Sequence, residues 1–245
     1  MDRFFIPPLS DDATTFSIES TEEFHHLAHV LRLKPGDRAE FVNGRGLLIV
    51  GEIVSISGKR ADVKALEKRS VPPAAPRVIL ACAVPKRAKF EDIIDKCTQL
   101  GVDEIIPMMT ERTEVIIREK DADSKCARFD KVAVAAVKQS KRLWAPIIRR
   151  PCAFKDVLQR ISSETYLLIP WLEGDRIPLT AALSSAGSPQ EVLFLIGPEG
   201  DFTAKEVELA RSRGAVPVSL GENVLRVDTA AELVVGAAVL WGKRR

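Results

Sequence analysis

The chain has 245 residues, of which 46% are hydrophobic and 29% are charged, and its formal net charge is +2. This length supports one large or two modest domains, and so small a charge means that any nucleic-acid partner must meet a local basic patch. No apolar run reaches the ~20 residues that span a bilayer and the N-terminal stretch lacks an apolar targeting core, so we expect a cytoplasmic protein without a membrane segment.

The first part of the chain, residues 1–70, shows the alternating polar and apolar pattern of β-strands, with Asn-Gly as a turn signal. One helix interrupts this pattern. Ser20 and Glu23 form a capping box, and apolar residues recur at helical spacing from Thr21 to Arg32. These features predict a small β-barrel with one amphipathic helix.

Residues 71–77 contain three prolines and no hydrophobic period, which is typical of an exposed linker. In residues 78–245, short apolar runs alternate with helical patterns. Such runs indicate strands covered on both faces, so we expect a second domain of the α/β class with a mostly parallel sheet. Four cysteines, Cys82, Cys97, Cys126 and Cys152, stand singly and are expected to be reduced core residues.

Two loops follow strands near the end of this domain, where α/β proteins bind ligands. The first begins with Gly197-Pro-Glu-Gly and leads into a capping box of Thr203 and Glu206. The second follows Leu220 and Gly221 and leads into a second Thr-x-x-Glu capping box, at Thr229. Glycines let the backbone approach a ligand, but each loop is also compatible with a tight strand-to-helix turn.

Other ligand motifs fail on spacing. "GAAVLWGKR" is one residue too long for a P-loop, and no G-x-G-x-x-G fingerprint precedes a helix. His25 and His29 would share a helix face, yet a third ligand is absent, so we expect no metal site. That face either meets a partner or is simply solvated, and the pattern favours neither.

Basic residues cluster in two places, "VKQSKRLWAPIIRR" and "VPKRAK", and the first of these also carries Trp144. Cations and an aromatic ring close together are typical of a phosphate-contacting surface, although cations at a helix C-terminus are also favoured by its dipole. The last helix, Thr229 to Trp241, is apolar nearly all round. We expect it to be buried on every side, either in a dimer or as a core helix.

The chain resembles a known family, the RsmE uridine-N3 methyltransferases of small-subunit ribosomal RNA, within the SPOUT superfamily. The resemblance runs through both domains in the motifs "RFFIPP", "HHLAHVLRLKPGD", "KCTQLGVDEIIP", "TERT", "KQSKRLWAPII", "IGPEGDFTAKE" and "LGENVLRVDTAAE". It departs from the family pattern at Asp201, where a glycine is usual, and at Val227, where a threonine is usual.

The resemblance implies a PUA-like RNA-binding β-barrel followed by a trefoil-knotted α/β methyltransferase domain that binds S-adenosylmethionine (SAM). It implies a homodimer that methylates N3 of a uridine in 16S rRNA, in the assembled small ribosomal subunit. The expected cofactor residues are Ile196, Gly197, Pro198, Gly200, Leu220, Gly221, Val224 and Leu225.

Arg226 is expected to be catalytic, because a fixed cation can stabilise the negative charge that develops on the uracil ring. The residues expected to contact RNA are Arg3, His26, Arg32, Lys86, Arg87, Lys141 and Arg142. Two other functions remain open: a SPOUT-type ribose 2′-O-methyltransferase, and a non-catalytic RNA-binding protein.

Overall fold

A computed structural model describes residues 1–19, 21–86 and 89–243. The chain forms two compact units. The first unit consists of Met1–Pro73 and Val137–Ala145, and the second consists of Ala74–Ala136 and Pro146–Arg245. The first unit is therefore discontinuous in sequence.

The first unit is built on a β-sheet. Its strands within the described residues are β1 Arg3–Phe5, β2 Thr15–Ile18, β3 Arg38–Val42, β4 Leu47–Ser57 and β5 Arg60–Ser70. They pair in the order β1-β3-β4-β5-β2, with β1 parallel to β3 and the other neighbours antiparallel. Phe4, Phe41 and Ile49 are fully buried between this sheet and the helical segment, as the alternation in the sequence predicts.

The helical segment of this unit differs from the prediction. The α-helix α1 covers only Thr21–His25, and a π-helical turn follows from His26 to Val30. The amide of Leu31 donates to the carbonyl of His26 at 2.9 Å, and Arg32 has φ 55°. The expectation of one α-helix from Thr21 to Arg32 is therefore wrong, because the wider turn and the positive φ end the regular helix early. Ser20, the expected cap, lies outside the described residues.

The segment Val137–Ala145 belongs to the first unit through backbone and side-chain hydrogen bonds. The amide of Ala145 donates to Gly44 O at 2.9 Å, and the amide of Gly46 donates to Leu143 O at 2.9 Å. The indole Nε1 of Trp144 donates to Val71 O, also at 2.9 Å. Trp144, which the sequence placed on a basic surface, is thus tied into this unit by its own indole N–H.

The second unit alternates strands and helices. Its described strands are β6 Arg77–Ala83, β7 Glu104–Met109, β8 Ile147–Ile148, β9 Cys152–Ala153, β10 Thr165–Pro170, β11 Ile177–Pro178, β12 Glu191–Ile196 and β13 Val216–Ser219. Its described helices are α2 Phe90–Leu100, α3 Glu119–Ser140, α4 Phe154–Leu158, α5 Leu179–Ser185, α6 Ala204–Arg211 and α7 Val227–Gly242, of which α3 ends in the first unit.

These strands form one sheet in the order β11-β13-β10-β12-β6-β7-β8, with β9 beside β7. Within the described residues every pairing in this sheet is parallel, which confirms the predicted α/β class. Alternate residues of β12 face opposite cores: Val192 and Phe194 pack with α2 and α7, whereas Leu193 and Leu195 pack with α4 and α6. Burial on both faces explains the unbroken apolar runs.

The last helix is less buried than the sequence suggests. Val234 and Val235 of α7 are fully buried in the core of the unit, but Leu233 and Leu240 are 42% and 63% exposed. Of the two alternatives, the core helix is wrong, because α2 and the sheet cover only one face of α7 in the single chain, and burial in a dimer stays a prediction.

Cys82 and Cys97 are buried, as expected, whereas Cys126 and Cys152 are only partly buried, and all four are free thiols. Across the described ranges, no helix combines the length and apolar character that crossing a bilayer requires.

Candidate active site

A cavity of about 280 Å³ opens at the carboxyl ends of β10, β12 and β13, beside the start of α7. This is the edge where open α/β sheets bind ligands, and the volume is near the lower end of the range for small-molecule sites. The cavity is lined by Pro170, Trp171, Leu172, Arg176, Ile196, Gly197, Pro198, Glu199, Asp201, Val218, Ser219, Leu220, Gly221, Asn223, Val224, Leu225, Arg226, Val227 and Ala230.

The structure brings together most of the residues that the sequence singled out. Both predicted loops lie on this cavity, as does Arg226. Gly200 is the exception among the expected cofactor residues: it does not line the cavity, and its carbonyl accepts a hydrogen bond from Arg112 Nη1 at 2.7 Å. Gly200 therefore anchors the loop rather than forming the cavity wall.

The first loop is stabilised where it enters α6. Thr203 caps this helix, and Glu206 returns the interaction by accepting from the Thr203 amide at 2.9 Å, which confirms the predicted capping box. The other carboxylate oxygen of Glu206 accepts from the Glu111 amide at 2.8 Å. Glu206 is buried, so its hydrogen bonds hold two loops of the second unit in fixed positions.

The second loop enters α7 earlier than predicted. Arg226 is the N-cap residue, with φ −66° and ψ 158°, and its carbonyl accepts from the Ala230 amide at 2.9 Å. The predicted capping box at Thr229 and Glu232 is therefore wrong. Val227 and Ala230 are buried, so packing of the first turn extends the helix toward its N-terminus.

Arg226 lies where a cation can act on a bound ligand. Its guanidinium makes no ion pair or hydrogen bond with any residue in the described part of the chain, and the side chain is exposed on the cavity rim. The N-terminus of α7 lies beside it and carries partial positive charge. The combination favours a ligand on which negative charge develops.

Sequence reasoning missed the opposite wall of the cavity. Trp171, Leu172 and Arg176 follow β10 and line the site, and Arg176 supplies a second cation. Its guanidinium donates to Leu172 O. The signal that could have found these residues is their position after the carboxyl end of a buried strand, the same signal that identified the other two loops.

Cys82, which lies opposite Ile196 of the cavity wall in the sheet, is unsuited to nucleophilic chemistry. Burial raises the pKa of the Cys82 thiol well above its ordinary value, and Cys97 and the carboxylates of Glu199 and Asp228 raise it further. Because the thiolate is the reactive form, Cys82 is a poor nucleophile.

Some residues expected to contact RNA serve the fold of the first unit instead. Arg3 is 6% exposed in its side chain and pairs with Glu40 at 2.7 Å, and its Nη1 donates to Arg142 O at 3.2 Å. His26 is partly buried, with its ring 5.7 Å from that of Phe4. The geometry of Arg3 is that of a structural ion pair rather than of a free phosphate contact.

Two other basic residues are better placed to contact RNA. Arg32 and Lys141 are exposed, have positive φ, and make no ion pair with any residue for which the structure gives a position. Lys86 is exposed, but its Nζ pairs with Glu114 at 2.5 Å, and Arg87 lies outside the described residues. Arg149 is engaged by Glu104 at 2.6 Å, and Arg150 is engaged by Glu119 at 2.7 Å.

His25 and His29 were considered above as a pair of metal ligands on one helix face. The rings of His25 and His29 lie 5.1 Å apart, so they share a face as predicted. Within the described residues, no group of three or more His, Cys, Asp or Glu side chains is arranged to hold a metal ion.

Comparison with known families gives a match over both parts of the chain. Residues 72–239 match an RNA methyltransferase domain, and residues 19–66 match an RNA methyltransferase PUA domain. Ribosomal RNA small subunit methyltransferase E of Bacillus subtilis is 32% identical over 238 residues, covering 94% of this chain and 93% of the relative. The chain belongs to the RsmE family of RNA methyltransferases.

Two solved structures of methyltransferases are similar to this fold. A methyltransferase of Legionella pneumophila, solved with SAM bound, has a TM-score of 0.82 at 26% identity, covering 99% of this chain and 97% of that one. The RsmE of Neisseria gonorrhoeae, also bound to SAM, has a TM-score of 0.84 at 24% identity, covering 97% and 96%. The chain therefore has the SPOUT-type α/β methyltransferase fold with a PUA-like domain at its N-terminus.

Proposed function

We propose that this chain methylates N3 of a uridine in 16S rRNA of the small ribosomal subunit, with SAM as the methyl donor. The observation that carries the proposal is the cavity at the strand ends, with apolar walls and, on its rim, an Arg226 guanidinium that pairs with none of the described residues. The proposed cofactor follows from membership in the RsmE family and from the SAM-bound Legionella relative.

The cavity residues fit this cofactor. Ile196, Leu220 and Leu225 supply apolar surface for a flat ring, and the backbone of the two loops supplies N–H and C=O groups. Gly221 lines the cavity, and a Cβ added to it would have open space around it. Such a cradle accepts a ligand in close contact with the main chain.

When bound, SAM supplies a methyl group on a positively charged sulfur. Methylation of uracil breaks the N3–H bond, whose proton goes to water, and negative charge spreads over N3, O2 and O4 as the proton leaves. The N3–C bond would form as the S–CH3 bond breaks, and the sulfur would keep the electron pair of that bond in the neutral product S-adenosylhomocysteine. Arg226 and the N-terminus of α7 stabilise this charge. A covalent cysteine route is disfavoured, because burial raises the pKa of Cys82.

We further propose that residues 1–70 bind RNA, that residues 71–77 form a linker, and that residues 78–245 hold the cofactor and the target base. The best candidates for phosphate contacts are Arg32 of residues 1–70 and Lys141 of the segment Val137–Ala145, which belongs to the same compact unit. Both are exposed and make no ion pair within the described chain. We propose that the protein acts on the assembled small ribosomal subunit and therefore works in the cytoplasm.

We also propose the trefoil knot that the family resemblance implies. The sheet order supports it: β13, the last strand, lies between β10 and β11, both of which precede it in the chain. The chain after β12 must therefore return between two earlier strands before it continues into α7.

The test is methylation of unmodified small ribosomal subunits with isotope-labelled SAM, followed by mass spectrometry of the nucleosides. We expect 3-methyluridine as the product. Labelled 2′-O-methylnucleosides would instead establish the ribose methyltransferase, and RNA binding without any methylation would establish a non-catalytic protein.

The same assay examines Arg226. The Arg226→Ala change should lower kcat about 100-fold, the scale of losing one charge-stabilising donor, while SAM affinity from calorimetry changes much less. Arg226→Lys keeps the charge and serves as the matched control, with partial activity expected. Near-normal turnover in Arg226→Ala would remove this residue from the mechanism.

A further inference from the structure

Asp201 has an unusual backbone conformation in the wall of the cavity. Its φ is +59°, a left-handed conformation that residues with a Cβ rarely adopt. The family resemblance described above implies glycine as the usual residue at this position, and glycine adopts the conformation without strain. This chain therefore has a side chain at a position where the backbone conformation favours glycine. The contacts of the Asp201 carboxylate explain why a side chain is useful there.

The carboxylate of Asp201 joins two loops of the second unit. Its Oδ1 accepts from the Phe202 amide at 2.8 Å, and its Oδ2 accepts from the Leu172 amide at 3.0 Å. The Phe202 bond is local, but the Leu172 bond reaches the segment after β10. Asp201 and Leu172 both line the cavity.

That segment, Trp171–Arg176, is here called the wall segment. Residues 172–176 are all exposed, including Leu172 at 49%, so burial contributes little to holding them. Its other end is held by Arg211 of α6, whose Nη2 donates to Asp175 O at 3.0 Å and whose guanidinium lies 6.0 Å from the Trp171 ring centroid. Trp171 itself packs against the core beside α4 and α6, and its amide donates to Val218 O at 3.2 Å, whereas residues 172–176 depend on polar anchors.

We propose that Asp201 is a positioning residue, which fixes the wall segment against the cofactor through its bond to the Leu172 amide. The inference rests on the proposed function, because it takes the ligand of this cavity to be SAM. A glycine at position 201 would relieve the backbone strain but offer no acceptor to Leu172 N. The wall would then close on the ligand only part of the time, and the apparent affinity would fall with that fraction.

The test compares Asp201→Gly, Asp201→Asn and wild type in the full-length protein. Asparagine tolerates the left-handed conformation but has one acceptor oxygen for two N–H groups, so its effect should be intermediate. Glu173→Gln is the matched control: Glu173 lies in the wall segment, outside the cavity lining, and makes no ion pair with any described residue. The Glu173→Gln change removes a negative charge from the wall segment but keeps a side-chain oxygen that can accept a hydrogen bond.

Two measurements are made on each variant. Hydrogen exchange of peptides covering the wall segment, without ligand, should be faster in Asp201→Gly than in wild type and unchanged in Glu173→Gln. SAM affinity by calorimetry should fall about tenfold in Asp201→Gly, the scale of losing a hydrogen bond to a charged group. The thermal midpoint of Asp201→Gly should not fall, because glycine removes the strain.

Unchanged exchange in Asp201→Gly would show that the Leu172 bond does not hold the wall, and faster exchange with unchanged SAM affinity would show that the wall does not position the cofactor. Either result overturns the proposal. Failure of the proposed function gives a different result, because wild type and Glu173→Gln would then also show no SAM binding, whatever the exchange rates.

Discussion

Gly197 and Gly221 stand at the starts of the two loops, and the structure gives them different roles. A Cβ on Gly197 would lie 3.1 Å from the Phe202 ring, so this glycine is required by packing of the protein on itself. Gly221 has φ +128°, and a Cβ on it would point into open space. Only Gly221 of these two therefore has the properties of a residue kept small for a ligand.

Gly221→Ala should weaken SAM binding about tenfold, because Gly221 lines the cavity, where an added methyl group would oppose close contact of a ligand with the main chain, and because the positive φ disfavours alanine. The φ effect needs its own control, and Gly214→Ala provides one. Gly214 has φ +86°, lies outside the cavity lining, and has open space for a Cβ.

Both alanine variants should lose about 1 kcal/mol of stability to the unfavourable φ, measured by urea unfolding. Calorimetry with SAM should separate them, since only Gly221→Ala should lose affinity. Equal SAM affinity in the two variants would mean that the loop at Gly221 does not touch the cofactor.

Among individual residues, the sequence could predict those site residues that lie within or next to a recognisable motif. The two loops were identified because each follows a buried strand, and the family resemblance then implied that Ile196 to Pro198 and Leu220 to Leu225 hold the cofactor. Trp171 and Arg176 also follow a buried strand, but that signal does not show that β10 lies between β12 and β13 and so brings them to the same cavity. The ion pair of Arg3 with Glu40 joins neighbouring strands, and spacing along the chain does not encode that either.

The Thr-x-x-Glu pattern predicted the start of two helices, and the prediction is correct for α6 but wrong for α7. Thr203 caps α6 as predicted, whereas Thr229 lies inside the first turn of α7. A capping box is a local signal, so it is decisive only where tertiary packing agrees with it. At α7 the burial of Val227 favours an earlier start, and no local pattern reveals which apolar residues will be buried.

Asp62, in strand β5 of the first unit, should make the stability of the folded protein depend on pH. Asp62 of β5 accepts hydrogen bonds from Ser17 Oγ at 2.8 Å, Ser55 Oγ at 2.9 Å and Arg60 Nε at 2.8 Å. The Arg60 bond and the two serine bonds lower the pKa of Asp62 from 3.8 to about 2. The folded state therefore favours the ionised carboxylate, which ties β2 and β4 to β5.

Because the pKa is lower in the folded state, the stability that Asp62 contributes is fully present above pH 3.8 and is lost as the pH falls to about 2. Wild type should unfold at a higher temperature than Asp62→Asn near neutral pH, and the difference should vanish near pH 2. The measurement is thermal unfolding followed by circular dichroism across this range.

Glu67→Gln is the control for Asp62→Asn, since Glu67 is exposed on the same strand and pairs with no residue in the described part of the chain. It should show no such pH-dependent difference from wild type. A constant difference between wild type and Asp62→Asn down to pH 2 would contradict the assignment.

The whole molecule presents an uncovered apolar surface on its last helix. Leu233 and Leu240 of α7 are exposed, and Leu100 of the adjacent α2 is 40% exposed. We propose that a second copy of the chain covers this surface, as the family resemblance implies. Val235 does not report on such an interface, because it is fully buried within its own chain.

Sedimentation of wild type should give about twice the chain mass of 27.0 kDa. Changing Leu233 and Leu240 together to Asp should give a folded monomer, because both side chains are exposed in the single chain. Val235→Asp is the contrasting variant and should unfold the protein. A monomeric wild type that methylates ribosomal subunits at full rate would rule the dimer out.

For the molecule as a whole, hydrophobic periodicity was sufficient to predict an α/β unit with a parallel sheet and a β-rich unit before it. Strand order was not predictable, because periodicity describes one element at a time and says nothing about which strands become neighbours. The association of Val137–Ala145 with the first unit was missed for the same reason, since its hydrogen bonds go to residues near positions 44, 46 and 71.

This discontinuity has a consequence for the order in which the protein is made. A ribosome releases the chain from its N-terminus, so Met1–Pro73 emerges long before Val137–Ala145. Until residue 145 has emerged, Gly44, Gly46 and Val71 lack the hydrogen-bond partners that they have in the native structure. The first unit therefore cannot be completed when its first 73 residues have emerged, and its last native contacts must wait until more than half of the chain has been translated.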